Sequence, residues 1–484
     1  MRPRSLLLAA GACLASLTLT VGSAAADPPT PTPASTSTPE FGHPPCTATS
    51  SPSTGPVRSV PTSQPLHPVG TSSPTTPVVS TPTPTDTIPT ATTTANCVTL
   101  FSTPAGLTAG PFMHVGPDGN FWFPNGFSGG GIVRMLSHAP YTQTVIPIPN
   151  PAGNVFGITT GPDGNIWFTE LGQQFNKGPT GAPGIVGRIL TRAPHTVTTF
   201  ALPTGPGGIA KAYDIAAGGD GNLWFTRSDS TGGTNGTPEI DQILTQAPYT
   251  ITRYPLPQAA LPSTNAGPQI IIADHQGNLW FNYIGGLGLG EISPFTDQVQ
   301  LFNVNCGAIA LGPAQDPDSI WCLGNDSPTF AASGNFIGRV DTITHAVTKH
   351  PVTFTGTPTA LGAGPDGNIW VTEARTGYAI GRLETHAPYT FSEIPLPDDT
   401  YSISPTCGPD GNEWFATNRF PNPPDNPQGN PGLIGRVNLT AHDGLAGLSD
   451  VIGSGLAGDL GSLLGGLGHG ECPAPPPGIF PHGR

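Results

Sequence analysis

The sequence predicts an all-β chain: a seven-bladed β-propeller of four-stranded blades, its ring closed by an N-terminal strand, between a disordered N-terminal stalk and a C-terminal tail. Three observations carry that expectation. All seven Trp occupy one place in a repeated motif. The motif recurs on average every ~49 residues, a period typical of stacked sheet repeats. Finally, 60 Pro and 65 Gly among 484 residues leave little room for long helices.

Met1-Arg-Pro-Arg-Ser precedes an apolar stretch from Leu6 to Val21 that ends in Ala24-Ala25-Ala26. Positive charge, an apolar run and small residues make residues 1–26 a secretory signal peptide cleaved before Asp27. A single membrane span is the competing reading, but the run is short for one and is interrupted by Gly, Ser and Thr. The mature chain is thus expected to be extracytoplasmic, secreted or held at the envelope, with no transmembrane segment. Residues 27–96 follow as a linker. Of the 69 residues from Asp27 to Ala95, 46 are Pro, Thr or Ser, and Phe41 is the lone aromatic. Such a stretch buries too little apolar surface to offset its ordering entropy, so it reads as a disordered stalk, O-glycosylated or bare.

The propeller is expected over 97–440. Gly161-Pro-Asp-Gly-Asn-Ile-Trp-Phe-Thr-Glu170 recurs around Trp122, Trp224, Trp280, Trp370 and Trp414, with a degenerate copy at Asp318-Ser-Ile-Trp321. An apolar strand leads into the Asp163-Gly164 pair, a preferred hairpin turn because Gly tolerates positive φ. The second strand carries Trp167-Phe168. A third is Ile185-Val-Gly-Arg-Ile-Leu190, matched by Ile337-Gly-Arg-Val340, Ile380-Gly-Arg-Leu383 and Ile434-Gly-Arg-Val437. The fourth follows a turn such as Thr385-His-Ala-Pro-Tyr389 and ends in Ile394-Pro-Leu-Pro397, where Pro suits an outer edge. The last repeat stops before its fourth strand, and Cys97-Val-Thr-Leu-Phe-Ser-Thr-Pro104 matches what is missing. An N-terminal strand would therefore close the ring.

Residues 441–484 form the tail. Leu445, Leu448, Ile452, Leu456, Leu460, Leu463 and Leu467 make a helical stripe, but the Gly between them favours a mobile segment. Beyond Cys13 the chain has six Cys, an even number suited to an oxidising compartment. Fifteen pairings are possible, and Cys306–Cys322 is expected because it closes a short loop inside one repeat. Seventeen Lys and Arg against 31 Asp and Glu give a net charge of −14 without a basic run, which argues against nucleic acid as a partner. A monomer binding a small molecule, a cyclic peptide or an envelope component is the expectation.

Pro-Asp-Gly-Asn-x-Trp-Phe-Thr-Glu followed by Ile-Gly-Arg-Ile resembles the repeat of the virginiamycin B lyase, or streptogramin lyase, family across the whole 97–440 region. The resemblance implies a propeller that binds magnesium at the mouth of its central channel and opens type B streptogramin rings by elimination, a His removing the proton beside the ester carbonyl. It also implies that this His stands about eleven residues before a repeat Trp, with carboxylates nearby. Here those places hold Pro111, Phe156, Tyr213, Gln269, Ala310, Thr359 and Ile403, none of them His. A diverged, ligand-binding propeller is the first expectation. A magnesium-dependent lyase with relocated groups and a purely structural envelope protein are the alternatives.

The candidate residues follow. Lys211, Tyr213 and Gln269 stand where the family keeps its functional groups and are ligand-binding candidates, as is Arg227. His114 falls on an innermost strand and could line the channel, as a base or as a structural residue. Glu170 and Glu373 close their second strands where they could face the channel mouth; they are the catalytic or metal candidates, set against ordinary paired or solvated surface carboxylates. Asp118, Asp163, Asp220, Asp366 and Asp410 could suggest calcium, but the hairpin turn accounts for them. His138, His195, His345 and His386 are expected on turn surfaces.

Overall fold

The computed structural model describes residues 64–72, 77–93, 98–104 and most of 112–439. The expected signal peptide, the tail, Cys46, Cys97 and Cys472 lie outside the described residues. Seven antiparallel sheets follow one another along the chain, with strands in sequence order from the first, inner strand outward. In blade two these are Val155–Thr160, Ile166–Glu170, Ile185–Ile189 and Val197–Ala201. First strands of neighbouring blades pack side by side around a central channel. Blade seven takes its outer strand from the N-terminal side: Val98–Ser102 pairs with Leu433–Val437, Val98 opposite Val437 and Ser102 opposite Leu433. The ring closes as the repeat count requires. Among the described residues no helix is long and apolar enough to cross a membrane.

All seven Trp are 0–1% exposed. Each lies in a cluster with residues of the following blade: Trp167 with Ala210, Ile215, Leu223 and Phe225, and Trp414 with Phe121, Phe123 and Val133 across the closure. An indole buried this way contributes about 3–5 kcal/mol by comparison with Ala. The repeated Asp orients it. In blade six Asp366 Oδ1 accepts the Trp370 indole N–H at 3.0 Å and the Asn368 N–H at 3.2 Å, while Oδ2 accepts Arg382 Nε at 2.6 Å. Asp, Asn, Trp and the Arg of Ile-Gly-Arg are therefore one hydrogen-bonded unit, and it recurs at Asp118 with Arg134. The Gly of Ile-Gly-Arg is steric: a Cβ at Gly187 would collide with the Phe168 ring lying across it.

The turns between third and fourth strands clasp the preceding blade. Tyr249 of blade three packs at a tilt against Phe200 of blade two, ring centroids 4.7 Å apart, and Arg188 Nη1 donates to its hydroxyl at 3.1 Å. Tyr141 does the same for blade one on Phe101 and Trp414 of blade seven. His195 and His345 are not simple turn surface: their half-buried rings pack edge-on against Trp122 and Trp280. Cys306 and Cys322 form the expected disulfide.

The described part of the linker departs from the sequence reading. Within the stretch expected to be a disordered stalk, Gln64–Pro65, Thr71–Ser72, Val78–Ser80, Thr85–Thr87 and Ala91–Thr93 are short strands. They pair with the outer strands of blades four, three, two, one and seven in turn. The segment is a strap around the rim. Composition could not reveal it, because the pairing comes from the backbone and, among the described strap residues, only Leu66 is buried in the core.

Candidate ligand site at the channel mouth

Strands alternate in direction, so the first–second and third–fourth turns share one face of the disc, the hairpin face. Connections between second and third strands, and between blades, emerge on the other, the loop face. Each inner strand of blades two to seven carries a bulge near its loop-face end, as at Val155/Ile158, Ala212/Ile215 and Pro268/Ile271. A bulge frees a residue from the ladder and re-aims its side chain. Phe156, Tyr213 and Gln269 are such residues.

Ladder bonds lost at the bulges are replaced from the second strand. Thr226 Oγ1 receives the Asp214 N–H at 3.0 Å and donates to the Gln269 carbonyl of the next blade at 2.7 Å. Thr169 links Gly157 to the Tyr213 carbonyl in the same way. Asn282 links Ile270 to Gly307. The residue after Trp-Phe is thus a blade-to-blade clasp, and it fixes the backbone on which the mouth is built.

The mouth itself is aromatic on one side. Phe112 meets Phe156 edge-on at 5.3 Å, and Phe156 meets Tyr213 edge-on at 5.7 Å. Phe112 packs on the core of blades one and two and also on the cluster containing Ile270 and Ile309, so its ring reaches across the channel. Burial raises the Tyr213 hydroxyl above its ordinary pKa, with Ser228 as an opposing hydrogen-bond partner. Burial also lowers the half-buried Lys211 ammonium. The Gln269 side-chain oxygen is shielded from solvent and has no hydrogen-bond partner. This wall offers flat apolar contact and a phenol, with the Gln269 amide on the next inner strand. Sequence reasoning proposed Tyr213, Lys211 and Gln269 and did not single out Phe112 or Asp214. Asp214, 7% exposed, accepts the Ile271 N–H at 3.1 Å; burial, opposed by backbone bonds from Ile271 and Ile215, pushes its carboxyl up to about 7. A lone acid in an apolar inner strand was the signal available.

The other candidates lie elsewhere. His114 pairs across from Trp122, next to the hairpin, whereas Glu170 pairs with Val155 at the loop-face end. Three residues along a strand separate those levels by about 10 Å, so His114 and Glu170 do not form one site. His114 Nε2 meets Thr160 Oγ1 at 2.8 Å, and burial lowers the imidazole to about 4, leaving it neutral at pH 7. Glu170 and Glu373 do not face the mouth as solvated carboxylates: both are fully buried between strands. Glu373 Oε2 accepts the Gly356 N–H at 2.7 Å, while Glu393 accepts the Thr355 N–H at 2.8 Å. Burial, opposed by the Gly356 bond and reinforced by hydrogen-bonded Glu393, pushes Glu373 up to about 8. Arg227 is equally enclosed, binding Asp241 at 3.0 Å and the Pro203 carbonyl at 2.6 Å, with Glu239 beside it. Its charge is matched inside blade three.

Magnesium does not fit these donors. Among the described residues no three His, Cys, Asp or Glu side chains gather to hold a metal ion. Glu170 and Glu373, on blades two and six, stand apart across the ring. Asp118 and Asp366 are occupied by their Trp, Asn and Arg partners rather than arranged around a cation.

No family model matches the chain, and no curated protein does. Among solved structures, a streptogramin B lyase superposes with a TM-score of 0.52 at 22% identity, covering 70% of this chain and 96% of the other. A catalytically inactive virginiamycin B lyase from Staphylococcus aureus with quinupristin gives the same TM-score and identity, covering 70% and 98%. The selenomethionine form of the S. aureus enzyme gives 0.51 at 22%, with the same coverage. The protein thus shares its fold with the streptogramin B lyases whose repeat its own sequence resembles.

Proposed function

We propose that this protein is an exported propeller that binds a ring-bearing small molecule or cyclic peptide at the loop-face mouth of its channel, without the elimination chemistry of the lyases it resembles. The carrying observation is the Phe112–Phe156–Tyr213 wall, with Gln269 at the bulge of the next inner strand. Stacking and one oriented hydrogen bond suit a planar or cyclic ligand. The positions the lyase pattern gives to a base hold no His, and Glu170 and Glu373 are fully buried. Export is supported by the N-terminal pattern and by the Cys306–Cys322 disulfide.

The test uses quinupristin, with and without magnesium, against the full mature chain. Calorimetry should show binding that weakens about tenfold in Gln269→Ala and Tyr213→Ala, the loss of about 1.4 kcal/mol expected for one such contact. Chromatography with mass detection should show unchanged ligand. Elimination would give a ring-opened product of the same mass, and hydrolysis one heavier by about 18 Da, a water added by an activated nucleophile. Either product makes the protein an enzyme and overturns the reading, as does wild-type-like binding in both variants.

A further inference from the structure

Phe112 breaks the pattern of the inner strands. It precedes Trp122 by as many residues as Gly157, Asp214, Ile270, Ala360 and Ser404 precede their own repeat Trp, and none of those is aromatic. Its ring packs on the apolar cluster of blades one and two and also on the cluster built from blades four, five and six. Blade one has only blades seven and two as neighbours, so the second contact crosses the central channel. Among the described residues no other partly buried side chain packs against two of the apolar clusters.

The backbone beside the ring is clamped from blade seven. Ser404, at the Ile403/Pro405 bulge, has a φ of 53°, a left-handed conformation unfavourable for a residue other than glycine. It is buried, and its hydroxyl accepts the Met113 N–H at 2.8 Å, while Thr406 Oγ1 donates to the Met113 carbonyl at 3.0 Å. Met113 is itself buried in the seam between blades seven and one. A residue fixed through both of its backbone groups leaves its neighbour Phe112 little freedom to swing out of the channel. His114 lies beyond the ring, toward the hairpin face, roughly 7 Å further along extended backbone. There its imidazole meets Thr160 Oγ1 at 2.8 Å.

We propose that Phe112 plugs the central channel and sets the shape of ligand the mouth accepts: a ring or macrocycle lying on the Phe112–Phe156–Tyr213 wall, and not a linear chain threaded through the disc. A flat face stacks on this wall from outside. A threaded chain needs an axial path, and the Phe112 ring occupies it. The ligand class rests on the proposed mouth site; the plug itself does not.

Two measurements on the full mature chain and on Phe112→Ala separate these parts. The first needs no ligand: carbethoxylation of His114 by diethyl pyrocarbonate at neutral pH, followed by peptide mass mapping. The reagent modifies neutral imidazole, and burial already keeps His114 neutral, so its rate reports access. Removing the ring should raise that rate about tenfold, while exposed His138 and His386 keep theirs. Equal His114 rates in both proteins would overturn the plug. Should Phe112→Ala fold poorly, Ser404→Gly, which suits the left-handed backbone but releases the Met113 N–H, should raise the His114 rate in the same direction, and a wild-type rate there would overturn the plug. The second measurement is calorimetry with quinupristin and its ring-opened linear form. The wild-type chain should bind the cyclic form about tenfold more tightly, and Phe112→Ala should bring the two within about threefold. A cyclic preference untouched by Phe112→Ala would overturn the specificity assignment, since ring preorganisation alone would then account for it. Binding of neither form to the wild-type chain would sink the mouth site and the ligand class with it, leaving the His114 rates to decide the plug.

Discussion

Glu413 departs from its own repeat. The residue before each repeat Trp is Phe121, Ile166, Leu223, Leu279, Ile320 or Ile369, all apolar and buried, and only blade seven has an acid there. Glu413 is fully buried; burial and the nearby Asp366 charge drive its carboxyl well above the ordinary range, opposed by the Thr406 N–H. With Asp214 raised to about 7 and Glu373 to about 8, it is one of several acids that bind protons more tightly in the fold than in the unfolded chain. Where the unfolded chain binds fewer protons, stability falls as pH rises. The window runs from the unfolded carboxylate pKa, about 4, up to about 8. Asp366 acts at the other end: burial would raise it, but Arg382, Trp370 and Asn368 outweigh burial and hold it low, so its contribution is present above pH ~4 and lost as pH falls further. The urea midpoint should therefore peak near pH 4–5 and decline toward pH 8. Glu413→Ile, restoring the repeat, should flatten that decline and add about 2 kcal/mol at pH 7.5, the scale of relieving a buried polar group. A midpoint unchanged by the substitution at pH 7.5 would show that the carboxyl is solvated or paired.

At the scale of strands and turns, the repeat motif was legible because each of its letters has a local duty. Gly187 illustrates it, since the Phe168 ring occupies the space a Cβ would need. Gly187→Ala should lower stability by about 1–3 kcal/mol through overpacking, and Phe168→Leu in the same chain should recover part of the loss, giving a non-additive double-mutant cycle by chemical denaturation. Strictly additive losses would place the cost in the backbone instead. Tyr249→Ala should cost about 2 kcal/mol by removing its ring contact with Phe200 and its bond to Arg188, loosening the seam between blades two and three. The candidate site was less legible, for a geometric reason. Motif position locates a residue along its strand but not the sheet surface its side chain meets. Tyr213 and Gln269 sit at bulges on channel-lining strands. Glu170 and Glu373 lie at or next to the ends of second strands and Arg227 within one, where neighbouring strands enclose them. Phe112 escaped notice because its contacts cross the channel to blades with no sequence proximity.

For the whole molecule, two devices hold the ring, and their energetics differ. Closure by Val98–Ser102 is a core event: Val98 and Phe101 are 0–1% exposed, and Phe101 stacks on Trp414 at 5.2 Å. The strap is a backbone event, with two or three residues per blade and side chains such as Val78, Val79 and Ile88 exposed. Net backbone bonds at about 1 kcal/mol each, less the entropy of ordering the strap, amount to a few kcal/mol over five blades. The closure strand buries large apolar groups worth about 2–4 kcal/mol each and covers Trp414 and Phe121, which open with it. A chain starting at residue 97 should therefore fold with a cooperative but earlier urea transition, and its bare rim should make it associate as concentration rises. A chain starting at residue 104 should lose the cooperative transition and the buried-Trp fluorescence, because blade seven would have no partner to shut against blade one. Matching midpoints for the two truncations would mean that strap and closure strand carry equal weight, contrary to their burial.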